Sequence, residues 1–197
     1  MKTLKKLFFI VISFVAINTW IACNNGDTTT TATNNDTKEA EKHNDAKFEG
    51  KSGKDADFVV EAENISLNEM NLGQLADSNA AMAGTKELGR MMYGDHKKAY
   101  DDLSALASKK SITIPTAMTA SAQKDYNDLA QKKGMDFDKA YCDMMVNGHK
   151  DAIEKFEKES KNAADPDIQV WATNMLPALR KHLDHAMNCQ DQCKSMK

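Results

Sequence analysis

Four separate stretches of this chain carry apolar residues at helical spacing, and each stripe includes one side chain able to bind a metal or a proton. The first runs Phe58, Ala62, Ile65, Glu69, Leu72, Ala76. The second runs Leu88, Met92, His96, Ala99, Leu103, Leu106. The third reads Tyr141, Met145, His149, Ala152, Phe156, and the fourth Ile168, Met175, Leu179, His182, Ala186. Steps of three and four place each set on one helix face. A carboxylate or imidazole buried alone is costly, so Glu69, His96, His149 and His182 are expected to satisfy one another or a bound ion.

Strand-like alternation is scarce, and only Pro115, Pro166 and Pro177 interrupt the chain. The expected class is all-α. Asp77-Ser78-Asn79 marks a turn between the first two helices. Ser111–Thr119 is a connector, Ser121 caps a short helix through Lys132, and Gly134 ends it. A third long helix begins at Asp136 or Asp138 and ends near Asn162. Asp165-Pro166 opens the fourth, in which Pro177 predicts a kink or break near Thr173. Two helical hairpins joined by a longer connector give a four-helix bundle with a short extra helix between helices 2 and 3. At 1.5 Å per residue His149 and His182 fall level. Glu69 and His96 differ by on the order of 10 Å unless the first turn runs on to Gly84.

The chain begins with Lys2, Lys5 and Lys6 followed by the apolar run Leu7–Ile17, a pattern that reads as a signal peptide over residues 1–22. Ile21-Ala22-Cys23 resembles a bacterial lipobox, which makes Cys23 the lipidated N-terminus. The other reading is an ordinary cleaved signal followed by an incidental cysteine. Residues 23–56 are poor in large apolar side chains and are expected to form a disordered tether. Residues 57–190 are then the bundle domain, and 191–197 a tail. The expected location is the bacterial envelope, periplasmic or outer-membrane-associated, held to the membrane by lipid alone. With the three signal lysines removed from 26 basic residues, 23 stand against 29 acidic ones. No basic patch with interleaved aromatics occurs, which argues against nucleic-acid binding. No feature names a protein partner.

FVVEAENISLNEMNLGQLA, ELGRMMYGDH, FDKAYCDMMVNGHKDAIEKFEKE and DPDIQVWATNMLPALRKHLDHA together resemble the bacterial domain-of-unknown-function family 4142. The matching positions are Glu69, Asp95-His96, Phe137-Asp138, Tyr141, His149, Leu176-Pro177 and His182. The resemblance implies a ferritin-like four-helix bundle in an exported protein and no established activity. The chain departs from the di-iron pattern, because no Glu-x-x-His pair occurs in it. One carboxylate and three imidazoles suit a single Zn²⁺, Cu²⁺ or Fe²⁺ ion instead.

Asp95 and Tyr141 are candidates to orient the imidazoles, the alternatives being an exposed charge and a core aromatic. His185 reads as a solvated flank residue or a second ligand, and His43 as incidental. Cys142 lies seven residues before His149 and Cys189 seven after His182, so antiparallel helices level at the histidines bring these cysteines together as a disulfide. Cys193 is the competing partner, and MNCQDQCKSM is alternatively a soft-metal tail. No catalytic triad, phosphate loop or dinucleotide fingerprint is present. The functional readings are a non-enzymatic binding module for a metal, small ligand or protein partner; a mononuclear metalloenzyme; and a structural bundle whose polar cluster fixes helix register.

Overall fold

The computed structural model describes residues 28–196, and the signal segment and Cys23 lie outside them. Those residues are all-α, in six helices: α1 (Thr28–Asp45), α2 (Gly50–Asn79), α3 (Ala83–Lys110), α4 (Ala120–Ala130), α5 (Gly134–Asn162) and α6 (Pro166–Ser195). Helices α2 and α3 pack along their length as one hairpin and α5 and α6 as another, with α3 against α6 and α2 against α5. Two apolar clusters fill the interior. One, around Leu72, Met92, Phe137 and Tyr141, lies toward the α2–α3 turn. The other, around Phe58, Leu103, Phe156 and Ile168, lies toward the α5–α6 turn.

Only three residues separate the helices of each hairpin, so both pairs must run antiparallel. The turns are secured crosswise. Asp138 on α5 accepts from the backbone N–H groups of Ala81 and Met82 in the α2–α3 turn. Asp55 on α2 accepts from Ala164 and Asp165 in the α5–α6 turn. A shift of 83 residues carries Asp55 to Asp138, the end of α2 at Asn79 to the end of α5 at Asn162, and the start of α3 at Ala83 to the start of α6 at Pro166. The two hairpins are thus an internal repeat, and Asn-Ala-Ala occurs at the same place in both, at 79–81 and 162–164.

Within the first hairpin the backbones approach unusually closely. A Cβ on Gly73 would lie 2.6 Å from the Gly89 carbonyl oxygen, and one on Gly89 would lie 2.7 Å from that of Gly73. Both positions require glycine because backbone, not a movable side chain, occupies the space. Their repeat mates, Phe156 and Ala172, carry side chains into the second apolar cluster.

Several boundaries differ from the sequence reading. Residues 28–45, expected inside a disordered tether, form α1, and α2 starts at Gly50 rather than at 57. α1 is held by polar groups instead of an apolar stripe. The Asn44 side chain bonds both the N–H and the C=O of Thr113, and Asp36 accepts from the backbone of Thr116 and Ala117. Ala40 packs beneath them at 2 % exposure. Thr119, not Ser121, caps α4 by accepting from the Ala122 N–H. Gly134 starts α5 at φ +57° rather than ending α4. Asp165 caps α6 by accepting from Asp167 and Ile168, with Pro166 in its favoured first-turn place. α6 runs unbroken through Pro177 to Ser195, so the expected break near Thr173 and the separate tail from 191 are absent. No described helix is long and apolar enough to cross a membrane.

Candidate metal centre

His96 on α3, His149 on α5 and His182 on α6 meet inside the protein, each at 2 % exposure or less. Each offers a ring nitrogen within 4.8 Å of the other two. The rings stand 5.3–5.8 Å apart between centroids. The convergence follows from periodicity and register. Each histidine occupies a stripe position that its helix must turn inward, and the short turns fix how far one helix slides along its neighbour.

The hydrogen bonds determine which nitrogens are free. His149 Nδ1 lies 2.9 Å from the Met145 carbonyl oxygen, which can only accept, so Nδ1 carries the proton. His182 Nε2 lies 2.8 Å from Asp95 Oδ2, so the proton of that ring sits on Nε2. The remaining nitrogens, His149 Nε2 and His182 Nδ1, face one another at 3.3 Å. With both rings neutral this pair is two lone pairs and no hydrogen bond. A shared proton or a metal cation between them would relieve that opposition.

The surroundings disfavour the proton. Burial pushes His149 down to about 4, with His182 a further depressing influence. Burial lowers His182 as well, against the raising effect of Asp95. His96 is lowered well below the usual imidazole range by burial and then by the other two histidines. Neither ring nitrogen of His96 has a hydrogen-bond partner. All three imidazoles are therefore neutral near pH 7, as metal ligation requires. A nitrogen pair on a tetrahedral Zn²⁺ with bonds of about 2.0–2.1 Å sits roughly 3.3 Å apart. The outward bonds to Met145 and Asp95 are of the kind that fix the tautomer of metal-binding histidines.

Glu69 does not join the group. It lies at the right height, since a Cβ on Gly148 would meet its Oε1 at 3.6 Å, but its carboxylate is not among the convergent ligand atoms. The expected mismatch in height with His96 is reduced because α3 starts late, at Ala83. Glu69 Oε2 is buried without a partner, and burial pushes its carboxyl up to about 8, so it is a neutral acid at pH 7. Asp95 does orient His182, and its own side chain is half exposed. Tyr141 does not orient an imidazole: its hydroxyl has no partner, its ring stacks on Phe137, and burial followed by Glu69 raises it well above the usual phenol range. His185 is exposed and His43 pairs with Glu39 on the surface.

Cys142 and Cys189 are bridged, with Cα atoms 6.0 Å apart, and Cys193 is free and buried. Sequence reading missed Glu63. It is fully buried, accepts from Ser104 and is pushed up to about 8 by burial. It stands beside the stripe rather than on it, so periodicity does not select it. The backbone carbonyl of Met145 was equally invisible, since a histidine four residues on is the sole hint. The repeat makes no second centre: its mates for His96, His149 and His182 are Leu179, Ser66 and Ala99.

No curated protein and no solved structure matches the chain. The family model described as a domain of unknown function, DUF4142, matches residues 37–189, which takes in the last turns of α1, all of α2 to α5, α6 as far as Cys189 and every residue of the histidine centre, and the chain therefore belongs to that family.

Proposed function

We propose that this protein is an exported, lipid-anchored binding module in which a ferritin-like four-helix bundle of α2, α3, α5 and α6 holds one divalent transition-metal ion. His149 Nε2, His182 Nδ1 and a ring nitrogen of His96 are the ligands. The observation that carries this reading is the 3.3 Å approach of two ring nitrogens whose protons are both committed elsewhere. Three imidazoles leave at least one coordination position for water or a small ligand. The donor set suits Zn²⁺, Cu²⁺ or Fe²⁺. It does not suit a di-iron centre, because the repeat mates of the histidines carry no carboxylate and no Glu-x-x-His pair exists. When bound, the ion supplies Lewis acidity at its open position; the protein supplies ring orientation through Asp95 and Met145 and a dry interior.

The full chain, purified without a histidine tag, should bind one such ion and gain thermal stability from it. The double variant His149→Ala with His182→Ala should lose both. A wild-type protein that takes up no Zn²⁺, Cu²⁺ or Fe²⁺ and melts unchanged in their presence would sink the metal reading. Replacing Cys23 by Ser tests the anchor separately: the variant should leave the membrane fraction, and unchanged processing and membrane retention would remove the lipid from the proposal.

A further inference from the structure

We infer that Cys142, Cys189, Cys193 and Met82 form a second metal site, specific for monovalent copper and opened by reduction of the Cys142–Cys189 bridge. The three cysteine sulfurs lie within 4.8 Å of one another, and all three residues are buried. Cys193 Sγ is 3.6 Å from Met82 Sδ, so a fourth sulfur, a thioether, completes the cluster. Metal–sulfur bonds of about 2.3 Å place sulfurs on one ion roughly 3.8–4 Å apart. The cluster is already close to that geometry, and opening one bond between two of its members requires only small side-chain movements.

The sequence positions explain the assembly. Cys189 and Cys193 are one turn apart on α6, Cys142 faces them from α5, and Met82 caps the start of α3. Asp138 fixes Met82 by accepting from its backbone N–H. The site is distinct from the histidine centre. Cys142 lies seven residues from His149, roughly 10 Å along the helix. A thioether ligand favours Cu(I) over Zn²⁺, which takes thiolate and imidazole but rarely thioether. Access is built in. A groove between α3 and α6, lined by Gly84, Leu88, Met91, Cys189 and Gln192, runs against one of the bridged residues. A Cβ at Gly84 would meet Gln192 Oε1 at 3.1 Å, so the two residues stand close together at the edge of that groove.

The chemistry balances. A dithiol reductant delivers two electrons and two protons to the disulfide, breaking the S–S bond and yielding two thiols while becoming a disulfide itself. Cu(I) then displaces protons to solvent from the thiols it binds, and Met82 coordinates without losing one. In the bridged state only one thiol and one thioether remain, and affinity for copper is low.

The test titrates Cu(I) anaerobically into the full chain, bridged and reduced, against a chromogenic Cu(I) chelator. The reduced protein should bind one Cu(I) with a thiolate-to-copper charge-transfer band, show Cu–S scattering in X-ray absorption, and melt at a higher temperature with copper than without. The bridged protein should show none of these. Cys193→Ser should weaken Cu(I) binding at least tenfold. Met82→Leu, which keeps the packing, should weaken it and narrow the preference over Zn²⁺. Equal Cu(I) binding by bridged and reduced protein, a copper complex lacking the charge-transfer band, or wild-type affinity in both variants overturns the site. Copper uptake with no rise in melting temperature also overturns it, because a site built by the fold binds the folded chain more tightly than the unfolded one.

Discussion

Asp95 and His182 sit on different helices, and the 2.8 Å hydrogen bond between them decides which nitrogen of the buried ring is bare. Asp95 itself is half exposed, so its value lies in setting a tautomer and a ring angle rather than in burying charge. Asp95→Ala should lower metal affinity by about 10–100-fold with little change in the stability of the metal-free protein. Competition with a metal chelator measures this. Unaltered affinity would mean that Met145 and packing alone orient the site.

The three histidines should make the metal-free protein acid-sensitive. Their folded pKa values lie below the unfolded one, so the unfolded chain binds more protons in between. Their stabilisation is present above about pH 6.5 and is lost as pH falls toward 4, where His149 titrates. Bound metal should leave over the same window. Urea unfolding from pH 7 to pH 4 should show a slope that is clearly reduced in the His149→Ala, His182→Ala variant, with His96 accounting for what remains.

Glu69 acts with the opposite sign. Its carboxyl is raised to about 8, so the folded state holds a proton that the unfolded chain releases near 4.5. Stability from this group is complete below about 4.5 and is lost as pH rises toward 8. At pH 7 the loss is on the order of 3 kcal/mol. Glu69→Gln removes the charge and keeps the shape, so it should stabilise the metal-free protein at pH 7 and leave it nearly unchanged at pH 4.5. A variant less stable at both pH values would show that the acid has a partner worth more than its burial costs.

Gly73 and Gly89 let α2 and α3 touch backbone to backbone. Ala at either position gains about 1 kcal/mol of helix propensity, but overpacking against a carbonyl oxygen costs about 1–3 kcal/mol. Gly89→Ala should destabilise and, because His96 lies two turns further along α3, should also weaken metal binding. Thermal melts and chelator competition on one sample separate the two effects. A stabilised variant with intact metal binding would show that the hairpin can open without cost.

The long helices, their class and the inward placement of His96, His149 and His182 were legible in the sequence, because burial of an apolar stripe depends on spacing alone. So was the Cys142–Cys189 proximity, which follows from antiparallel helices level at the histidines. Helix α1 was not, since it docks through Asn44 and Asp36 rather than through an apolar face, and composition alone cannot tell such a helix from a tether. The 83-residue repeat left few identities in the sequence, Asn-Ala-Ala and the Asp55/Asp138 pair among them, too little to read without the turns they serve. Tertiary structure alone decided the chemistry of the centre. Spacing turned Glu69 and the three histidines inward, but the packed structure left Glu69 out of the ligand group, and contacts from Met145 and Asp95 fixed which ring nitrogens were left bare. Periodicity specifies which face is buried; the rotamers and hydrogen bonds that make buried groups into a site arise only when the helices are packed.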